Sequence, residues 1–151
     1  MAGLMLVGAQ AARAACSNPV ACENQLQGDP ESDWQPTTPD DPAIEGFATS
    51  MSVNVGQTVS FKIKTSSTAY HVDILRIGYY GGDGARKLAT IQPSASLPQS
   101  QPACLTQAST GLIDCGNWAV SASWTVPSNA ISGVYIAHLV RDDARPISGQ
   151  S

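Results

Sequence analysis

Charge is what this sequence has least of. Charged residues make up 13% of the 151, the net charge is −4, and the eight Lys and Arg form no block. A nucleic-acid binder needs a clustered basic footprint, so no nucleic-acid partner is expected. Long apolar runs are missing too, and none reaches the roughly 18 residues of a membrane-spanning helix, so no membrane span is expected. Capped helical periodicity is absent over any useful length, and no internal repeat stands out.

What is present begins with an N-terminus that reads as an export signal. A short apolar run, Leu4-Met-Leu-Val, leads into small residues, with Ala12-Arg-Ala14 suited to cleavage. No Lys or Arg precedes the run, and Arg13 counts against Cys16 as an acylated residue. Residues 1–15 are therefore read as a signal peptide, and the product as secreted or periplasmic. The four cysteines are Cys16, Cys22, Cys104 and Cys115. An even count in an exported chain points to two disulfides. Of the three pairings, the local one is preferred, Cys16–Cys22 and Cys104–Cys115. A four-thiolate zinc site would need close cysteine pairs that are missing.

Residues 16–43 carry turn formers and helix breakers, as in Asp29-Pro-Glu-Ser-Asp-Trp-Gln-Pro, and read as an irregular acidic lead-in tied down by Trp34. Asp29, Glu31, Asp33 and Asp40 have a calcium-loop-like spacing, but Trp34 stands where such a loop needs Gly. From residue 44 the period becomes two. Met51, Val53 and Val55 alternate with polar residues and suggest a strand, Gly56-Gln57 a turn, and Val59, Phe61 and Ile63 a second strand. Residues 70–77 are apolar on both faces, and 86–91 form a weaker strand. A Pro/Ser/Gln loop follows at 93–102, then the Cys104–Cys115 loop. Trp118, Val120, Ala122, Trp124 and Val126 alternate in a further strand, and 134–140 is apolar nearly throughout, which suggests a central strand. Short strands with Gly/Pro turns between them predict an all-β fold, an immunoglobulin-like antiparallel β-sandwich over residues 44–143. Tyr135 is placed for a tyrosine corner, bonding back to the preceding turn. Residues 144–151 offer no β pattern, so the sandwich is expected to lack its last strand, with the tail truncated and the chain a fragment of a longer protein.

The glycine-rich stretch Tyr79-Tyr-Gly-Gly-Asp-Gly-Ala-Arg86 fits neither a Walker loop nor a dinucleotide fingerprint, because no helix opens after it and Lys87 precedes Leu88. It suits a tight hairpin with positive φ. Tyr79 and Tyr80, with Trp34, are candidates for stacking on a glycan; otherwise one tyrosine packs inward and the other covers the turn. The two histidines, His71 and His138, fall on strands expected to be neighbours, and with Asp73 they are candidate metal ligands. Neither lies on a loop, as a Ser-His-Asp arrangement would require. Asp142-Asp143 reads as a solvated strand end. Nothing builds an active site, so no enzyme activity and no cofactor is expected of this chain.

The segments Glu23-Asn-Gln-Leu-Gln-Gly-Asp-Pro, Ile44-Glu-Gly-Phe-Ala-Thr, Ile74-Leu-Arg-Ile-Gly-Tyr-Tyr-Gly-Gly-Asp-Gly-Ala-Arg, Asp114-Cys-Gly-Asn-Trp and Ser132-Gly-Val-Tyr-Ile-Ala-His-Leu-Val-Arg-Asp-Asp resemble the N-terminal β-sandwich region of proteins related to the N,N-dimethylformamidase large subunit. The resemblance covers roughly residues 18–143. It implies a non-catalytic module that packs against downstream domains of a larger exported protein. The amidase itself is an iron-dependent hydrolase whose metal is held by a Tyr and two Glu in a separate domain, and no position here matches those ligands. A small secreted carbohydrate-binding module is the alternative.

Overall fold

The computed structural model describes residues 16–36 and 41–143. The signal segment 1–15, the tail 144–151 and Asp40 of the acidic spacing lie outside the described residues.

Two three-stranded antiparallel sheets pack face to face. The first has the order β1-β2-β7, built from Ile44–Ala48 (β1), Thr58–Thr65 (β2) and Ala122–Thr125 (β7). The second has the order β4-β3-β8, built from Tyr70–Ile77 (β3), Ala85–Ile91 (β4) and Tyr135–Arg141 (β8). A small hairpin of Leu105–Gln107 (β5) and Leu112–Asp114 (β6) stands apart from both. The expected all-β sandwich is what forms.

The core follows from the period of two. Val59, Phe61 and Ile63 of β2 meet Tyr70, Val72 and Ile74 of β3, with Ala122 filling beside them. Each fully buried large side chain of this kind contributes about 1.5–3 kcal/mol relative to exposure, so these residues bind the two sheets together. Strand β3 is buried on both faces along nearly its whole length, as its sequence suggested.

Three strand expectations need correction. Residues 51–55 form no strand; Met51 is fully exposed, and the edge partner of β2 is β1. The segment turns instead, with Asn54 N–H donating to Gln57 Oε1 at 2.7 Å and Gly56 N–H to Val126 O at 2.8 Å. Residues 118–121 are not strand either, because the Gln101 side chain takes the place of a ladder. Its amide donates to Ile63 O and Ala119 O, both at 3.0 Å, and its carbonyl accepts from Ala119 N–H at 2.9 Å. Strand β8, read as central from its apolar content, lies at the end of its sheet among the described residues, and β3 is the central strand.

The lead-in, expected to be irregular, contains two short helices, Pro19–Glu23 (α1) and Glu31–Trp34 (α2). Asn18 caps α1, its side chain accepting from Val20 N–H and Ala21 N–H, with Pro19 opening the helix. Both disulfides have the local pairing, Cys16–Cys22 and Cys104–Cys115. Tyr135 makes the expected back-bond, its hydroxyl donating to Ile131 O at 2.6 Å.

Candidate functional site

The glycine-rich turn sits between β3 and β4 and is closed by the lead-in. Positive φ occurs at Tyr80 and at Gly81, Gly82 and Gly84. At Gly84 both reasons for glycine coincide: φ is +81°, and an added Cβ would come within 3.2 Å of the Trp34 ring. Trp34 is held there by its indole N–H, which donates to Asp29 O at 3.2 Å. The two tyrosines separate. Tyr79 is 70% exposed, while Tyr80 is buried and not presented for stacking.

Tyr80 belongs to a buried polar hub. Its hydroxyl accepts from Arg76 Nη1 at 3.0 Å and donates to Glu23 Oε1 at 3.1 Å. Arg76 also donates to Asn24 Oδ1 at 3.1 Å and to Ser132 O at 2.9 Å, and Arg86 pairs with Glu23 at 2.7 Å. Gly133 is explained here, since a Cβ on it would lie 2.7 Å from Arg76 Nε. Burial pushes the Tyr80 phenol up. The hub joins α1, β3, β4 and the turn before β8, and of its buried side-chain polar atoms only Arg76 Nε lacks a partner. Sequence reasoning missed Arg76, Glu23 and Asn24. The available signal was Arg76 itself, a charge in phase with the inward-facing Tyr70, Val72 and Ile74.

His71, Asp73 and His138 do meet on the outer face of the second sheet. Asp73 and His138 are opposite one another in register, and His71 is two residues along β3. His71 Nε2 lies 3.6 Å from Asp73 Oδ2, and its Nδ1 hydrogen-bonds Asp142 Oδ1 at 2.8 Å. Asp73 is already served by Lys87 Nζ at 3.2 Å and by the Thr90 hydroxyl. Burial pushes its carboxyl up, but the bonds from Thr90 and Lys87 outweigh burial and hold it below its ordinary value. Burial also pushes the His138 imidazole down, and its Nδ1 is buried without a hydrogen-bond partner. Among the described residues no group of three or more His, Cys, Asp or Glu is arranged to hold a metal. The iron centre that the resemblance associates with the amidase does not fit here either: of the three glutamates, Glu23 is occupied by Tyr80 and Arg86 and Glu45 pairs with Lys64, so no pair is left to share a metal.

Asp142 and Asp143 follow the end of β8, Asp142 exposed as expected, but both are engaged by hydrogen bonds. Asp142 binds His71, and Asp143 accepts from Ser67 Oγ and Thr68 N–H, both at 2.7 Å, and from Arg141 Nε at 3.2 Å. Ser67 and Thr68 come from the β2–β3 turn, far from Asp143 in sequence.

The remaining feature is an opening along one side of the sandwich, between the β1 and β8 ends of the two sheets. It comprises two clefts, of about 590 Å³ and 310 Å³, which share Ala48, Phe61, Ile136 and Ala137. The smaller is lined by Phe47, Phe61, Ile63 and Leu139 as well, so its walls are apolar. Phe47 is 39% exposed and Val134 66%.

Two packed sheets, a buried polar hub and an opening along one side define an all-β sandwich domain. Residues 71–147 match the family model described as N,N-dimethylformamidase beta subunit-like, C-terminal. The chain belongs to that family. The match does not confirm the N-terminal position expected from the sequence. Comparison with curated proteins found no match, and comparison with solved structures found none.

Proposed function

We propose that this chain is a non-catalytic packing and positioning module of a larger, exported, dimethylformamidase-like protein. The observation that carries this reading is the opening between β1 and β8, which exposes Phe47, Val134 and Ile136 and whose smaller cleft has apolar walls. An isolated domain gains nothing from leaving Phe47, Val134 and Ile136 in contact with water, whereas a docking surface requires it. Two disulfides support the exported location. The carbohydrate-binding alternative has less support, because burial of Tyr80 leaves only Tyr79 of the pair exposed.

Hydrogen exchange tests the proposal directly. The amides of β1 that face the open side should exchange quickly in this chain alone and slowly in the intact parent protein. Equal exchange in both would mean that the open side packs against nothing in the parent, and the positioning role would fall.

A further inference from the structure

Among the described residues β3 pairs on both sides, with β4 and β8, whereas β8 pairs with β3 alone. The phase of its backbone can be read from two bonds at its ends. Ile77 N–H donates to Val134 O, and Asp142 N–H donates to Ala69 O, both at 2.9 Å. Antiparallel pairing alternates, so the even-numbered residues of β8 turn their N–H and C=O groups toward β3. Tyr135, Ala137, Leu139 and Arg141 turn theirs toward the open side.

Natural sheets blunt such edges with Lys, Pro, a bulge or a covering segment. The opposite edge of this sheet is covered: Asp29 N–H donates to Ala85 O at 3.0 Å, and Lys87 N–H donates to Asp29 Oδ2 at 2.6 Å. The β8 sequence Tyr-Ile-Ala-His-Leu-Val-Arg has neither Lys nor Pro, and its register against β3 is unbroken.

We infer that the β8 edge is occupied by β8 of a second copy of this chain, antiparallel about a two-fold axis at His138, so that two β4-β3-β8 sheets become one. The inference rests on the reading of the open side as a docking surface and names the occupant of its β8 edge, leaving the β1 side to the parent's other domains. An antiparallel partner must bring its own free backbone groups opposite the four odd-numbered residues. A second β8 does this when pairing is centred on His138. Ala137 then faces the partner's Leu139, Tyr135 faces the partner's Arg141, and odd meets odd throughout. That register uses the whole strand. The side chains agree with it. On the outer face Ile136 meets the partner's Val140, an apolar cross-strand pair. Arg141 already pairs with Asp41 at 3.3 Å and Asp143 at 3.2 Å, so no unpaired like charges are opposed. The contact is isologous and closes on itself.

Sedimentation equilibrium of the full chain at neutral pH should show a dimer. Ile136→Lys should yield a folded monomer. Ile136→Lys with Val140→Glu should restore the dimer, because the new ammonium and the partner's new carboxylate are directly opposite. The two positions are four residues apart on one strand and cannot rescue each other within a monomer. His138→Cys should cross-link on oxidation, since directly opposed residues at a non-hydrogen-bonded position have Cα atoms about 4.5 Å apart, within disulfide reach. A monomer at every concentration overturns the inference, as does a dimer that Ile136→Lys leaves intact or a double variant that stays monomeric. A monomer whose β8 amides become protected in the parent would overturn the dimer and leave the positioning role standing.

Discussion

Tyr79 and Tyr80 are neighbours with opposite fates, and the difference lies in Arg76. A buried guanidinium needs acceptors, and removing one partner from such a group costs more than an average hydrogen bond contributes. Tyr80 serves Arg76 and Glu23 through one oxygen. Tyr80→Phe keeps the ring and deletes that link, so it should lower stability by about 1–2 kcal/mol, read as a shift in the urea midpoint. An unchanged midpoint would mean that the hub contributes little. At this scale the sequence was partly legible. The expectation that one tyrosine packs inward holds, but which one does depends on a turn with φ of +44° at Tyr80. The approach of His71, Asp73 and His138 was also foreseen, because neighbouring strands bring in-phase residues together. What could not be read was occupancy: Lys87 and Thr90 reach Asp73 from β4, whose register is shifted near Ile74 and Leu75. A shift of that kind leaves no mark in a period-two pattern.

Elements were legible where one face is buried and the other wet. The strands β2, β3 and β4 fall where the alternation put them. Alternation failed at 51–55 and 118–121 because an extended loop and a strand have the same period; what separates them is whether a partner backbone is free. For 118–121 the partner position is filled by the Gln101 side chain. The β5–β6 hairpin poses a related question about its disulfide. In the chain-entropy model, cross-linking a loop of about twelve residues stabilises by roughly 3 kcal/mol. That figure assumes a hairpin fixed in the native state. Here Leu105, Leu112 and Ile113 are all exposed, and the hairpin joins neither sheet. Once Cys104 and Cys115 are replaced by Ser, the hairpin should open locally without unfolding the sandwich. Global stability should then fall by less than about 1 kcal/mol, while the hairpin amides lose exchange protection. A loss near the full model value would show that the hairpin stays closed without its disulfide.

The whole molecule reports its buried charges through pH. His138 lies on the outer face among His71, Asp73 and Lys87, and burial is the largest influence on it, pushing it down; His71 and Lys87 add to the effect and Asp73 opposes it. The folded state therefore keeps His138 neutral where the unfolded chain takes up a proton near its ordinary value of about 6.5. When the unfolded state binds the extra proton, stability rises with pH. The contribution is complete above about pH 6.5 and is lost as pH falls below that value. A second loss begins lower. Asp143 is held well below the usual carboxylate range by the Ser67 hydroxyl and Thr68 N–H, and Asp41 and Asp73 are also lowered. Their contribution is present above about pH 4 and disappears below it, as the unfolded carboxylates bind protons first. Urea midpoints measured from pH 8 to pH 3 should thus fall in two stages. His138→Gln should remove the upper stage and leave the lower one in place. If the upper stage survives that substitution, the proton is being taken up elsewhere, and the buried, unpartnered nitrogen of His138 is not what sets the response above the carboxylate range.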